Sequence, residues 1–106
     1  METKYQIIYT DQYDIDYDEI ADYYIDKFKN ADLIENLNKQ VLKREGLLRQ
    51  FPYSFTKFES NQFLKHEYRT FNVLNYKVFY YIDELAKVVY MERLLYAKMD
   101  FNSIKL

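Results

Sequence analysis

His66 is the only histidine in the chain, and there is no cysteine. Cleaving RNA through its own 2′-hydroxyl without a metal asks for a base, a cation to hold the phosphorane charge, and an acid for the leaving oxygen. His66 is the natural candidate for the base. Arg69 stands three residues further on and can clamp a phosphate in bidentate fashion. On a regular strand, residues three apart point to opposite faces, so His66 and Arg69 are not expected to act on one phosphate. A zinc site lacks thiolates and has a single imidazole to draw on, so neither a metal nor another cofactor is expected. The single glycine excludes G-x-G-x-x-G and G-x-x-x-x-G-K phosphate loops.

The 106 residues make one domain, 1–106, long enough to bury a core without staples. No stretch of about 18 apolar residues exists, so no membrane partner or transmembrane span is expected. The opening METKYQIIYTDQYD has no basic start, long apolar run or small-residue cleavage site, which points to a cytoplasmic protein without a secretory leader. The formal charge of −2 is unevenly spread. Residues 1–35 hold ten acids against three bases (−7), and residues 36–106 hold twelve bases against seven acids (+5). Such a split gives either two ordinary solvated surfaces or a basic face that meets nucleic acid or an acidic partner.

The elements that position these groups follow from periodicity. The run KYQIIY at 4–9 is β-branched and aromatic and reads as a strand. Thr10 suits a helix N-cap, and Tyr13, Tyr17, Ile20, Tyr24 and Phe28 then fall on one helical face that reads as core. Asn30 or Asp32 caps a second helix whose apolar face is Leu33, Leu37, Val41 and Leu48, widened by Ile34, Leu42 and Leu47. Arg44 interrupts that stripe, and Gly46 marks a bend or a close contact. This helix ends near Phe51, ahead of Pro52, and the short link makes the two helices an antiparallel αα-hairpin. Residues 53–64 read as a loop. Three strands follow at 66–73, 76–82 and 88–95, separated by turns at Asn75 and at 83–87. Asp100 caps one last helical turn that packs Phe101 and Ile104. The expected fold class is α+β: an N-terminal strand, an αα-hairpin and a three-stranded antiparallel meander, with the helices on one face of the sheet.

Three stretches together resemble the RelE/ParE superfamily of toxins. EYRTFNVLNYKVFYYIDE at 67–84 is similar to that group's G-Y-R, V-x-N-Y and F-Y pattern with its acidic turn. VVYMERLLYAKMDF at 88–101 is similar to its ending V-x-I-x-R-I-x-Y-x-R-R-D-Y. YQIIYT at 5–10, followed by DYDEIADYY at 16–24, is similar to its start. The resemblance covers nearly the whole chain in order, and the length with its long α-hairpin looks more like the ParE-like branch. It implies the toxin half of a type II toxin–antitoxin module, associated with plasmid stabilization and growth inhibition. A cognate antitoxin protein would neutralise it, and promoter DNA would be bound only through the toxin–antitoxin complex. ParE-like members poison DNA gyrase, whereas RelE-like members cleave mRNA on the ribosome.

Carried over residue by residue, the resemblance makes Arg69, Arg93 and Tyr96 the candidate catalytic set and Lys98, Lys65 and His66 the candidate target or RNA contacts. Each has a plain alternative. Arg69 can pair with Asp18 or Asp22, Arg93 can form a buried ion pair, and Tyr96 can simply pack. Glu67 stands where the group has glycine, and Met99 replaces the second arginine of the closing pair. The base is missing, and a pI of about 5.4 suits ribosomal RNA poorly. The expected target is therefore gyrase, reached by protein contact; the alternatives are an mRNA endoribonuclease and a relic that only binds antitoxin. Tyr53, Phe55, Phe58 and Phe63 are candidate antitoxin anchors, or else they close the core.

Overall fold

The computed structural model describes residues 4–102 and 104–106. Strand β1 (Gln6–Tyr9) leads into helix α1 (Asp11–Asp22), where the Thr10 hydroxyl accepts from the Tyr13 N–H at 3.2 Å and Asp11 and Asp14 fill the first turn. The chain continues as a π-helical segment over Tyr23–Lys27. That widened turn re-aims the end of the expected stripe: Tyr13 is buried, but Phe28 is exposed, contrary to the core position its spacing suggests. Asn30 caps α2 (Ala31–Gln50) by accepting from the Leu33 N–H at 3.2 Å.

Ile34, Leu37, Val41, Glu45 and Leu48 are the buried positions of α2, a stripe with steps of three and four. Leu42 and Leu47 do not widen it; both are exposed. Gly46 marks neither a bend nor a close contact, because α2 runs through it and a Cβ there would meet nothing within 4 Å.

The 53–64 segment is not loop throughout: it contributes a short strand, β2 (Thr56–Lys57). β3 (Tyr68–Val73), β4 (Tyr76–Asp83) and β5 (Val88–Tyr96) form the antiparallel meander. β3 begins two residues later than expected, leaving His66 in the approach to it. The sheet order is β1-β5-β4-β3-β2, with β1 parallel to β5. Leu74 and Lys87 take positive φ in the two hairpin turns, and Lys29 does so ahead of α2, because a chain with one glycine has none to place there.

The helices cover one face of the sheet. Leu37, Leu48, Val78, Tyr80, Val89, Met91 and Leu94 form the heart of that core. The opposite face is closed by the loop and the tail: Phe79 is fully buried, with Phe58 at 5.1 Å and Phe101 at 5.2 Å between ring centroids. Ile104 is buried as expected, but no helical turn is assigned among the described residues after Asp100. Asp100 instead accepts from the Asn102 N–H at 2.9 Å in a local turn, and Ser103 of the expected helical turn lies outside the described residues.

Candidate functional site

A β-bulge decides where Arg93 goes. Phe79 is aligned with Arg93 and Tyr80 with Met91, so Glu92 is the extra residue on β5. The partner strand β1 ends at Tyr9, opposite Met91, and the backbone of β5 beyond it is an open edge. Two α1-side groups close that edge. Thr10 donates from Oγ1 to the Glu92 carbonyl at 3.1 Å, and Asp16 accepts from the Leu94 N–H at 3.0 Å. The same carboxylate holds Arg93 with two bonds, Nε at 2.8 Å and a terminal nitrogen at 3.2 Å. The remaining terminal nitrogen donates to the Lys105 carbonyl at 2.8 Å. The Asp16 residue is 6% exposed and the Arg93 side chain 17%. Arg93 thus sits in a buried ion pair that joins α1, β5 and the tail.

Arg69 is also engaged, but not with Asp18 or Asp22. It is aligned with Tyr80, on the helix side of the sheet beyond the end of α2. One terminal nitrogen donates to the Phe55 carbonyl at 2.8 Å and the Tyr53 carbonyl at 3.2 Å; the other reaches Glu67 at 3.3 Å. Its guanidinium lies 5.3 Å from the centre of the Tyr53 ring. This fork clasps the first turn after α2. Tyr53 in turn donates to Glu84 at 3.1 Å, as does Tyr5 at 2.7 Å, and Lys87 bonds the same carboxylate. The Lys87 ammonium, then the two phenols, hold the Glu84 carboxyl below its ordinary range.

The expected catalytic set does not converge. Arg69 and Arg93 are aligned with neighbouring β4 positions, Tyr80 and Phe79, whose side chains leave opposite faces. Tyr96 is exposed at the end of β5, edge-on to Tyr76 at 6.2 Å. Lys98 and Lys65 are exposed. His66 lies flat on Tyr81, centroids 3.8 Å apart, and Tyr81 stacks on Tyr90 at 5.0 Å. Tyr81 alternates with the core residue Tyr80, so this ladder is on the face away from the helices and away from Arg69. Burial pushes the Tyr68 hydroxyl beside it up to about 12, the wrong direction for a base.

The four aromatic anchors divide. Phe55 packs on Phe71 at 5.2 Å and Phe58 on Phe79, both closing the core, whereas Tyr53 is half-exposed and Phe63 is 96% exposed. Asp16 was not among the expected site residues. Its sequence signal is its spacing: three residues after Tyr13 and four before Ile20, it borders the apolar stripe of α1, whereas the other five acids of that helix lie on the opposite side.

No family model matches the sequence, and no curated protein does. Among solved structures, a chain of the chromosomal ParDE TA (toxin–antitoxin) system from P. aeruginosa matches with a TM-score of 0.63 at 13% identity. The match covers 92% of this chain and 100% of that one. This chain and that one share a fold. At that identity the likeness to the ParDE chain is one of architecture, and it spans the helical pair and the meander alike, since so little of either chain is left out. No helix among the described residues is long and apolar enough to cross a membrane, and no cluster of metal-ligating side chains occurs among them.

Proposed function

We propose that this chain is the toxin half of a type II toxin–antitoxin pair, a single cytoplasmic unit held inactive by a cognate antitoxin, and that it acts on DNA gyrase by protein contact. The fold shared with the ParDE-system chain over 92% of the sequence supports the toxin assignment, together with the three stretches that resemble RelE/ParE toxins. The observation that favours protein contact over RNA cleavage is the engagement of both arginines. Arg69 spends one terminal nitrogen on the Tyr53 and Phe55 carbonyls and the other on Glu67, and Arg93 spends its own on Asp16 and Lys105. Neither is free to hold a phosphorane, and His66 is turned to the other side of the sheet from Arg69.

Expression without an antitoxin should arrest growth, and co-expression of the product of an adjacent small open reading frame should relieve the arrest. Purified protein should inhibit supercoiling by gyrase or trap gyrase–DNA cleavage complexes. Unimpaired gyrase in molar excess of the protein, with mRNA cut in a translation extract, would replace this reading with the endonuclease. Absence of growth arrest would replace it with the relic.

A further inference from the structure

Arg44 breaks the apolar stripe of α2, and neither ion pair nor hydrogen bond explains it. It forms no salt bridge among the described residues, and its Nε is buried without a partner. Its guanidinium lies 5.9 Å from the centre of the Phe55 ring, at a cavity of about 360 Å³. The same cavity is lined by Lys77, Thr56, Thr70 and Asn72. Lys77 is likewise in no ion pair among the described residues; its ammonium rests over the Phe101 ring at 5.3 Å. No carboxylate among the described residues lines the space.

The backbone adds to the donor set. The Tyr68 carbonyl accepts from the Phe58 N–H at 2.8 Å, so Tyr68, Thr70 and Asn72 direct their backbone groups toward β2. β2 pairs Thr70 with Thr56 and goes no further, which leaves Asn72 on an open edge; Lys77, paired with Asn72, reaches that edge from the face away from the helices, and Arg44 of α2 reaches it from the helix side.

We infer that this cavity is a binding site for the phosphate group of a phosphate ester. Two cations, two hydroxyls and a carboxamide, with no carboxylate among the described residues that line the space, suit an anion whose exposed oxygens only accept, as those of a phosphate group do. The site is separate from Arg69, Arg93 and Tyr96, and it does not depend on the toxin reading.

The test titrates the ¹⁵N-labelled chain with inorganic phosphate and, separately, with a short single-stranded oligonucleotide. Both should produce saturable shifts at the Thr56, Thr70 and Asn72 amides. Tighter binding of the oligonucleotide identifies a nucleic-acid backbone as the source of the phosphate; equal binding identifies a free phosphate group. Two cations on a single strand predict an affinity loss of about sevenfold between about 0.05 and about 0.2 M salt, and Lys77→Gln should reduce that to about 2.6-fold. Lys77 is only half-buried, so this variant keeps the test open if Arg44→Gln fails to fold. The inference is overturned if neither probe shifts these amides, if Lys77→Gln binds as the parent does, or if a glutamate-rich peptide of equal charge shifts them as strongly.

Discussion

Replacing Asp16 with alanine strips one carboxylate of four donors: two Arg93 nitrogens, the Leu94 N–H and the Gln12 amide at 3.0 Å. Breaking a buried ion pair from one side costs about 3–5 kcal/mol, because a charge is left without its partner in low dielectric. Two features place this site at the lower end. The Arg93 side chain keeps 17% of its surface in water, and the Lys105 carbonyl still accepts one of its N–H groups. We therefore expect a loss of about 3 kcal/mol, a large share of the roughly 5–15 kcal/mol that holds a domain together. With a urea m-value of about 1–3 kcal/mol/M, the unfolding midpoint should fall by about 1–3 M. Asp16→Asn retains an oxygen for the Leu94 N–H and should lose less. Arg93→Met should fall in the same range, and a double-mutant cycle with Asp16→Ala should show strong coupling. The reasoning is refuted if Asp16→Ala moves the midpoint by less than the equivalent of about 0.5 kcal/mol. Loss of growth arrest in Arg93→Met at parental stability would make Arg93 a functional residue instead.

Three further outcomes follow from the same geometry. Arg69→Lys keeps the charge but loses the second nitrogen that reaches Glu67 and the planar group over the Tyr53 ring, so it should cost about 1–2 kcal/mol and speed protease cleavage in the 53–64 segment; unchanged cleavage kinetics would show that the clasp does not hold the loop. Gly46→Ala should stabilise by about 0.5–1 kcal/mol in thermal or urea unfolding, since the new methyl meets nothing and α2 loses its one flexible position; destabilisation would mean that the helix packs there after all. Glu45 is held by the Tyr9 hydroxyl and lies 3.8 Å from Arg49, and burial, opposed by Arg49, raises its carboxyl above the ordinary range. A raised folded-state value means stability present at low pH and lost as pH rises through that value. Glu45→Gln should therefore gain on the parent between about pH 4 and about pH 7; an equal difference at both pH values would refute the burial cost.

The sequence shows the fold in order because each element carries its own period. Thr10 and Asn30 cap where an oxygen ahead of an apolar stripe says they should, and the meander alternates as strands do. What it hides is whatever depends on count rather than pattern. The π segment adds one residue per turn without changing residue types, so Phe28 keeps helical spacing yet leaves the core. β2 is held by two pairs with β3 and has no alternation of its own to reveal it.

The same distinction governs the candidate site. Motif spacing identifies Arg69 and Arg93 as arginines that matter but is silent about which way they face, and one bulged residue on β5 is enough to separate them. Once Glu92 is inserted, Arg93 falls at the open edge beyond β1, where it meets the Asp16 carboxylate, and the pair becomes part of the frame. Arg44 shows the converse. A cation that interrupts an apolar stripe is legible as an anomaly in the sequence alone, and the structure leaves its Nε without a partner and puts the residue at a cavity that no carboxylate among the described residues lines. The arginine that resembles nothing is therefore a better candidate for an outside ligand than the two that match a motif, since their charges are already met from within the chain.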